Sequence, residues 1–181
     1  MISEAAVSLK TSLRKLWAEH VIWTRQYVVA AVGGTPDADS AAGRLLKNQE
    51  DLGNAIVPLY GKAAGDALTG LLKQHIMIAV DLIAAAKSDD QAKFQREDQK
   101  WTANVEEMAA FLSGANPHWP KKDLVDLLQL HLSLTKKEVV ARLSKKWDED
   151  VAAFDDIFTE INTVSDALSE GIIKQFPDKF Q

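Results

Sequence analysis

Leu16-Trp17-Ala18-Glu19-His20-Val21-Ile22-Trp23-Thr24-Arg25 is the stretch on which the fold turns. Extended by Leu9 and Leu13 on one side and Tyr27 on the other, it gives Leu9, Leu13, Leu16, His20, Trp23 and Tyr27 at alternating spacings of four and three. That period belongs to a helix with one face turned to a core, and Trp17, Val21, Thr24 and Val28 widen the stripe to core width. The helix spans about Ser3 to Val32 and ends at Gly33-Gly34. Thr35-Pro36 restarts the chain, with Thr35 as N-cap and Pro36 in the first turn.

The same period continues to the far end. A second helix, roughly Pro36 to Tyr60, carries Leu45, Gln49, Leu52, Ile56 and Leu59. A third, Lys62 to Lys87, carries Leu68, Leu72, His75, Ala79 and Leu82. A fourth, capped by Asp90, carries Phe94, Trp101, Asn104, Met108 and Leu112. After the loop from Ala115 to Pro120, Leu124, Leu128 and His131 mark a short fifth helix. Thr135-Lys136-Lys137-Glu138 is a capping-box pattern, so a sixth helix is expected from Thr135 to about Phe176, either bent near Gly171 or with an overhanging end. No alternation of strand type competes. The expectation is a single all-α domain over residues 1–181: an up-and-down bundle of about four long helices, a short cross-helix and a long C-terminal helix.

Composition narrows the function classes. The chain has 181 residues, 21 Lys+Arg against 26 Asp+Glu, a net charge of −5, and no cysteine. The acidic balance and the lack of a basic block argue against nucleic acid or an anionic membrane as partner. Without cysteine there are no disulfides, thiolate zinc sites or cysteine nucleophiles. The uncharged runs Val28–Gly34 and Ile76–Val80 are too short to span a bilayer. Met1-Ile2-Ser3 opens no positively charged n-region, which leaves a cytoplasmic chain and an exported chain with its leader removed as the two alternatives. P-loop, Gly-x-Gly-x-x-Gly, His-Glu-x-x-His and serine-nucleophile motifs are missing, as is the Glu-x-x-His pair of di-iron bundles.

What the apolar seams do contain is polar residues: His20, Gln49, His75, Asn104, His131 and Asp150 stand where the period asks for apolar side chains. Burying such groups without partners costs a few kcal/mol each, so they must find one another, water or an ion. Counting about 1.5 Å of rise per residue from the turns puts His20, Gln49, His75 and Asn104 at one level of an antiparallel bundle. A helix start at Thr135 lets Asp150 climb to that level and leaves His131 below it, as a structural histidine or part of a second site. The expected site is therefore a divalent transition metal, Zn, Fe, Mn, Ni or Cu, held by His20, His75 and Asp150. Glu107, one turn from Asn104, is the further carboxylate, with Gln49 and Asn104 fixing the imidazole tautomers. Storage, sensing and redox roles fit such a centre. Two alternatives stay open: a small-molecule-binding bundle, and an interaction protein whose polar layer only sets helix register. Trp17, Trp23, Trp101 and Trp147 read as core, and Trp119 as a cap on one core end.

Leu16-Trp17-x-x-His20-x-x-Trp23-Thr24-Arg25 also belongs to a larger pattern. With Arg44-Leu45-Leu46-x-Asn48-Gln49-x-Asp51-x-Gly53-Asn54-Ala55-Ile56, Trp101-x-x-Asn104-x-x-Glu107, His131-Leu132-x-Leu134-Thr135 and Gln175-Phe176-Pro177, it resembles an uncharacterised family of small bacterial helical-bundle proteins. The resemblance runs from about Leu16 to Phe180. It implies a bacterial source and a shared bundle, and it carries no activity.

Overall fold

The computed structural model describes residues 3–181; Met1 and Ile2, where the expectation about a leader begins, lie outside the described residues. Six helices follow one another: α1 Glu4–Gly33, α2 Ala38–Tyr60, α3 Lys62–Lys87, α4 Gln91–Ala115, α5 Lys121–Leu143 and α6 Trp147–Gln175, closed by a 3₁₀ turn at Pro177–Lys179. There is no strand among the described residues. Two starts rest on side-chain caps: Ser3 accepts from the Ala6 amide at 3.2 Å, and Asp90 from the Lys93 amide at 2.9 Å.

The last third of the chain departs from the expectation. α5 is not short: its 23 residues run straight through Thr135, whose hydroxyl donates back to the His131 carbonyl at 2.9 Å. The capping box is therefore unused. The break falls at Ser144–Lys146, and α6 starts at Trp147 and continues past Gly171 to Gln175. Lys145 makes that break by adopting a left-handed backbone at φ 58°, with no glycine or proline to announce it.

Consecutive helices pack side by side, and α6 returns to α1, so the six close into a ring. α1, α3 and α5 also touch one another across the middle. Three helical hairpins thus surround an axis, with the first helix of each on the inside. Residue numbers expose a threefold internal repeat, since His20, His75 and His131 are 55 and 56 residues apart. The same offsets relate the left-handed residues Gly34, Asp89 and Lys145 that end the inner helices. They also relate the hydrogen bonds that close those turns: Thr35 amide to Ala30 carbonyl, Asp90 to Ala85 and Lys146 to Ala141, at 3.0, 3.0 and 2.9 Å. Each is the closure of a Schellman turn. Around the axis the repeat builds buried layers. Leu13, Leu68 and Leu124 form one, and Trp17, Leu72 and Leu128 the next. The histidines follow, and then Val28, Ile83 and Val139, a small apolar cluster of its own.

The apolarity of α3 follows from this position. By length and composition it is apolar enough to cross a bilayer, which the short uncharged runs had not suggested, and it is one of the three inner helices, with Leu68, Leu72, His75 and Leu82 in the core.

Two close approaches set the helix spacing. Gly53 on α2 faces Gly65 and Thr69 on α3, and a Cβ at position 53 would come within 2.5 Å of the Gly65 carbonyl oxygen and closer still to Thr69. A backbone oxygen cannot step aside, so Gly53→Ala should cost about 1–3 kcal/mol by overpacking. In a domain of this size that lowers the thermal midpoint by roughly 2–4 °C per kcal/mol; an unchanged midpoint would contradict the close approach. At one end of the bundle, Gly171 leaves room for the N–H edge of the Trp119 indole against α6, and Trp119 is buried there, stacked on Tyr60 at 5.9 Å.

Candidate metal centre

The inner helices carry one histidine each to the axis, and all three are buried. Ring centroids lie 6.3 Å apart for His20–His75, 5.7 Å for His20–His131 and 6.3 Å for His75–His131. One ring nitrogen from each falls within 4.8 Å of the other two, so these histidines could hold a metal ion.

Each imidazole is oriented by the outer helix of its own hairpin. His20 Nδ1 is 3.2 Å from Gln49 Oε1, His75 Nδ1 is 3.0 Å from Asn104 Oδ1, and His131 Nδ1 is 2.9 Å from Glu160 Oε2. In every case the partner lies 29 residues further along. The amide orientations are fixed independently. Gln49 Nε2 donates to the Leu45 carbonyl at 2.7 Å, and Asn104 Nδ2 donates to the Leu71 carbonyl at 3.1 Å, which turns each amide oxygen to its histidine. All three partners are therefore acceptors. Nδ1 must carry the proton, and the lone pair of each ring is left on Nε2.

Burial keeps the His20 and His75 rings neutral. Desolvation, reinforced by the neighbouring His131 and His75 imidazoles, holds His20 well below the ordinary histidine range; desolvation and His131 hold His75 down at about 3. Trp17 closes over His20 edge-on at 5.6 Å, and Trp101 lies 5.1 Å from His75. Glu160 stands apart from Gln49 and Asn104 as a carboxylate, and its second oxygen, Oε1, has no hydrogen-bond partner among the described residues.

A pH dependence follows. In the unfolded chain both histidines protonate near pH 6.5. In the fold they stay neutral, so below that pH the unfolded state binds more protons and stability falls. Each group contributes a slope of about 1.4 kcal/mol per pH unit. Glu138 opposes them: burial first, against the pull of Arg25, raises it to about 7, so it favours the fold as pH falls from 7 toward its unfolded value. Two histidines against one glutamate leave a net loss of about 2 kcal/mol between pH 6.5 and pH 5. Urea midpoints at the two pH values measure it; a midpoint that rises on acidification would refute the neutral His20 and His75.

A cavity of about 50 Å³ lies against one side of the trio. Leu13, Leu68, Leu124, Leu72 and Leu128 wall it, and Trp119 closes the far end, its indole N–H donating to the Leu168 carbonyl at 3.3 Å. On the opposite side come Thr24, Ala79 and Thr135, one turn on, with the threonine hydroxyls donating to the His20 and His131 carbonyls, and beyond them the Val28, Ile83 and Val139 layer.

The structure sorts the sequence candidates by place. His20, His75, Gln49 and Asn104 meet at one level, and His131 joins them. Asp150 does not: moved to the first turn of α6, it accepts from Arg25 at 3.0 and 3.2 Å and from Arg142 at 3.0 Å. Glu138 also accepts from Arg25, so these four groups form a separate ionic cluster. Glu107 sits on the exposed face of α4. Trp147, expected in the core, is 52% exposed, with the Arg142 guanidinium 5.0 Å from its ring. Arg44 pairs with Glu19 at 3.1 Å, and His118 is exposed. Glu160 was not among the candidates. The signal for it lay in the 29-residue step from His20 to Gln49 and from His75 to Asn104, which from His131 lands on Glu160.

No protein-family model, curated protein or solved structure matches the chain.

Proposed function

We propose that this protein binds one divalent transition-metal ion on its axis, between His20, His75 and His131. The observation that carries this is the matched set of three buried imidazoles, each with Nδ1 tied to a fixed acceptor and Nε2 free. Neutral imidazoles suit Zn, Fe, Ni or Cu, and Mn less well; the absence of carboxylates from the inner set disfavours Ca and Mg. Three protein nitrogens leave a position open, the arrangement of catalytic rather than structural zinc. An equilateral triangle of 4.8 Å edge puts its centre about 2.8 Å from each corner, against ~2.0–2.1 Å for a zinc–imidazole bond. Closing the trio thus takes ring movements of under an ångström. Gln49, Asn104 and Glu160 act behind the ligands, and Glu160 supplies a negative charge in contact with the set.

Two features weigh against the other readings. The cavity of about 50 Å³ is far below the ~300–1,000 Å³ of organic-ligand pockets. A layer serving only to fix register has no use for three matched lone pairs on the axis. A single three-ligand centre per chain also favours sensing or redox chemistry over storage.

Metal analysis of untagged protein tests the proposal. Stoichiometric metal is expected, falling to background in His20→Ala, His75→Ala and His131→Ala alike. Glu160→Gln should retain the fold and weaken metal binding about 10–100-fold. Traces of metal that do not respond to any of these substitutions would leave the trio as a hydrogen-bonded layer.

A further inference from the structure

The side of the trio that is left open, and what surrounds it, say what the metal would meet. The cavity is bounded on the inner helices by residues that precede the histidines by seven and by three or four positions, such as Leu13, Leu68 and Leu124. On the outer helices its walls come after Gln49, Asn104 and Glu160, for instance Leu52, Met108 and Val164. Because the hairpins are antiparallel, both sets lie toward the same end of the bundle. Toward the other end the repeat carries Thr24, Ala79 and Thr135 and then the Val28, Ile83 and Val139 layer, and none of these lines the chamber. A metal on the trio has one free direction, and it points into this chamber.

We propose that the fourth coordination position takes an uncharged diatomic molecule, of the class of dioxygen or nitric oxide, bound in the leucine chamber; this rests on the metal-centre reading. Size is the first reason. At about 50 Å³ the chamber clears the ~10–15 Å³ needed to admit a water-sized guest and falls far short of the ~300–1,000 Å³ of organic-ligand pockets. An organic substrate does not fit. The second reason is polarity. Apart from the imidazoles and the Trp17 indole, the wall is aliphatic and thioether side chains, and the Trp119 N–H is already given to the Leu168 carbonyl. A water needs two to four polar partners to be held, and an anion must leave its hydration behind. An uncharged diatomic gives up almost nothing on the way in, and it gains a metal bond. The third reason is closure, since Trp119 is itself buried over the far end and shields the chamber from solvent.

The test is anaerobic loading with Fe²⁺, titration with nitric oxide, and EPR detection of the half-integer-spin iron–nitrosyl. One nitrosyl signal per bound iron is expected, and a large excess of imidazole should not displace it. Leu68→Phe and Leu124→Phe, which each push a ring into the chamber, should keep the iron and lose nitric oxide affinity at least tenfold. Leu72→Ala, which enlarges it, should let imidazole compete. Iron that binds stoichiometrically but gives no nitrosyl, or a nitrosyl that imidazole displaces in the unaltered protein, overturns this inference and leaves the metal centre standing. Iron that does not bind, which shows before any nitric oxide is added, overturns this inference too, and the metal centre is then decided by metal analysis and the zinc titration; failure of zinc as well as iron overturns both.

Discussion

Asp150→Ala should lower the thermal midpoint by roughly 6–12 °C and leave the metal content unchanged. Asp150 is 1% exposed and accepts from two arginines at once, Arg25 and Arg142. Those guanidiniums are held in place from behind, Arg25 over the Phe154 ring at 4.9 Å and Arg142 over Trp147 at 5.0 Å. Removing the carboxylate leaves cations fixed where their counter-charge was, and breaking a buried pair from one side costs about 3 kcal/mol or more. Some water reaches both arginines, so the lower part of that range applies. The carboxylate also sits in the first turn of α6, where a negative charge complements the free amides. Asp150→Asn keeps the shape and removes the charge, and should retain part of the loss. Metal content that falls while the melting curve stays put would return Asp150 to the site.

Zinc should raise the midpoint by roughly 8–16 °C when its free concentration exceeds the dissociation constant about a thousandfold, since binding to the folded state alone is then worth about 4 kcal/mol. His131→Gln should abolish the shift. Glutamine is chosen because it keeps a polar group opposite Glu160, whose second oxygen is already without a partner, whereas alanine would strand the carboxylate altogether. The same titration on His20→Gln and His75→Gln should give the same answer, since each inner helix supplies one ligand. A zinc shift that survives His131→Gln would place the ion elsewhere and return His131 to a structural role.

These two expectations reverse what the sequence suggested for His131 and Asp150, and the cause is local. Helical periodicity is strong enough to read class and seam residues throughout, and short connections gave the common level of His20, Gln49, His75 and Asn104. Thr135-Lys136-Lys137-Glu138 imitates a helix start in the middle of α5, and the true break has neither glycine nor proline. Lys145 takes the left-handed conformation inside a turn closed by the Lys146 amide on the Ala141 carbonyl, without the glycine that usually marks such a position. Moving the boundary from 135 to 147 drops Asp150 by three turns and brings His131 to the level of its counterparts. The outer-helix partners were half legible, because Gln49 and Asn104 break apolar stripes. Glu160 passes as an ordinary surface acid until the repeat is noticed.

Each hairpin brings one imidazole together with the group that orients it, so every third of the centre can form from contacts within one hairpin. The ring itself closes late. The seam between α1 and α6 joins residues 152 and 160 positions apart, Arg14 to Asp166 and Lys10 to Glu170, and Ser3 reaches Phe180 across 177. Contacts of such long range are the slow part of folding. Tight metal capture waits on the docking of the third hairpin, so a chain stalled before α5 and α6 dock holds at most a weak pair of nitrogens. Metal occupancy then reports that the last hairpin has met the first, and a refolding assay that follows it reads ring closure directly.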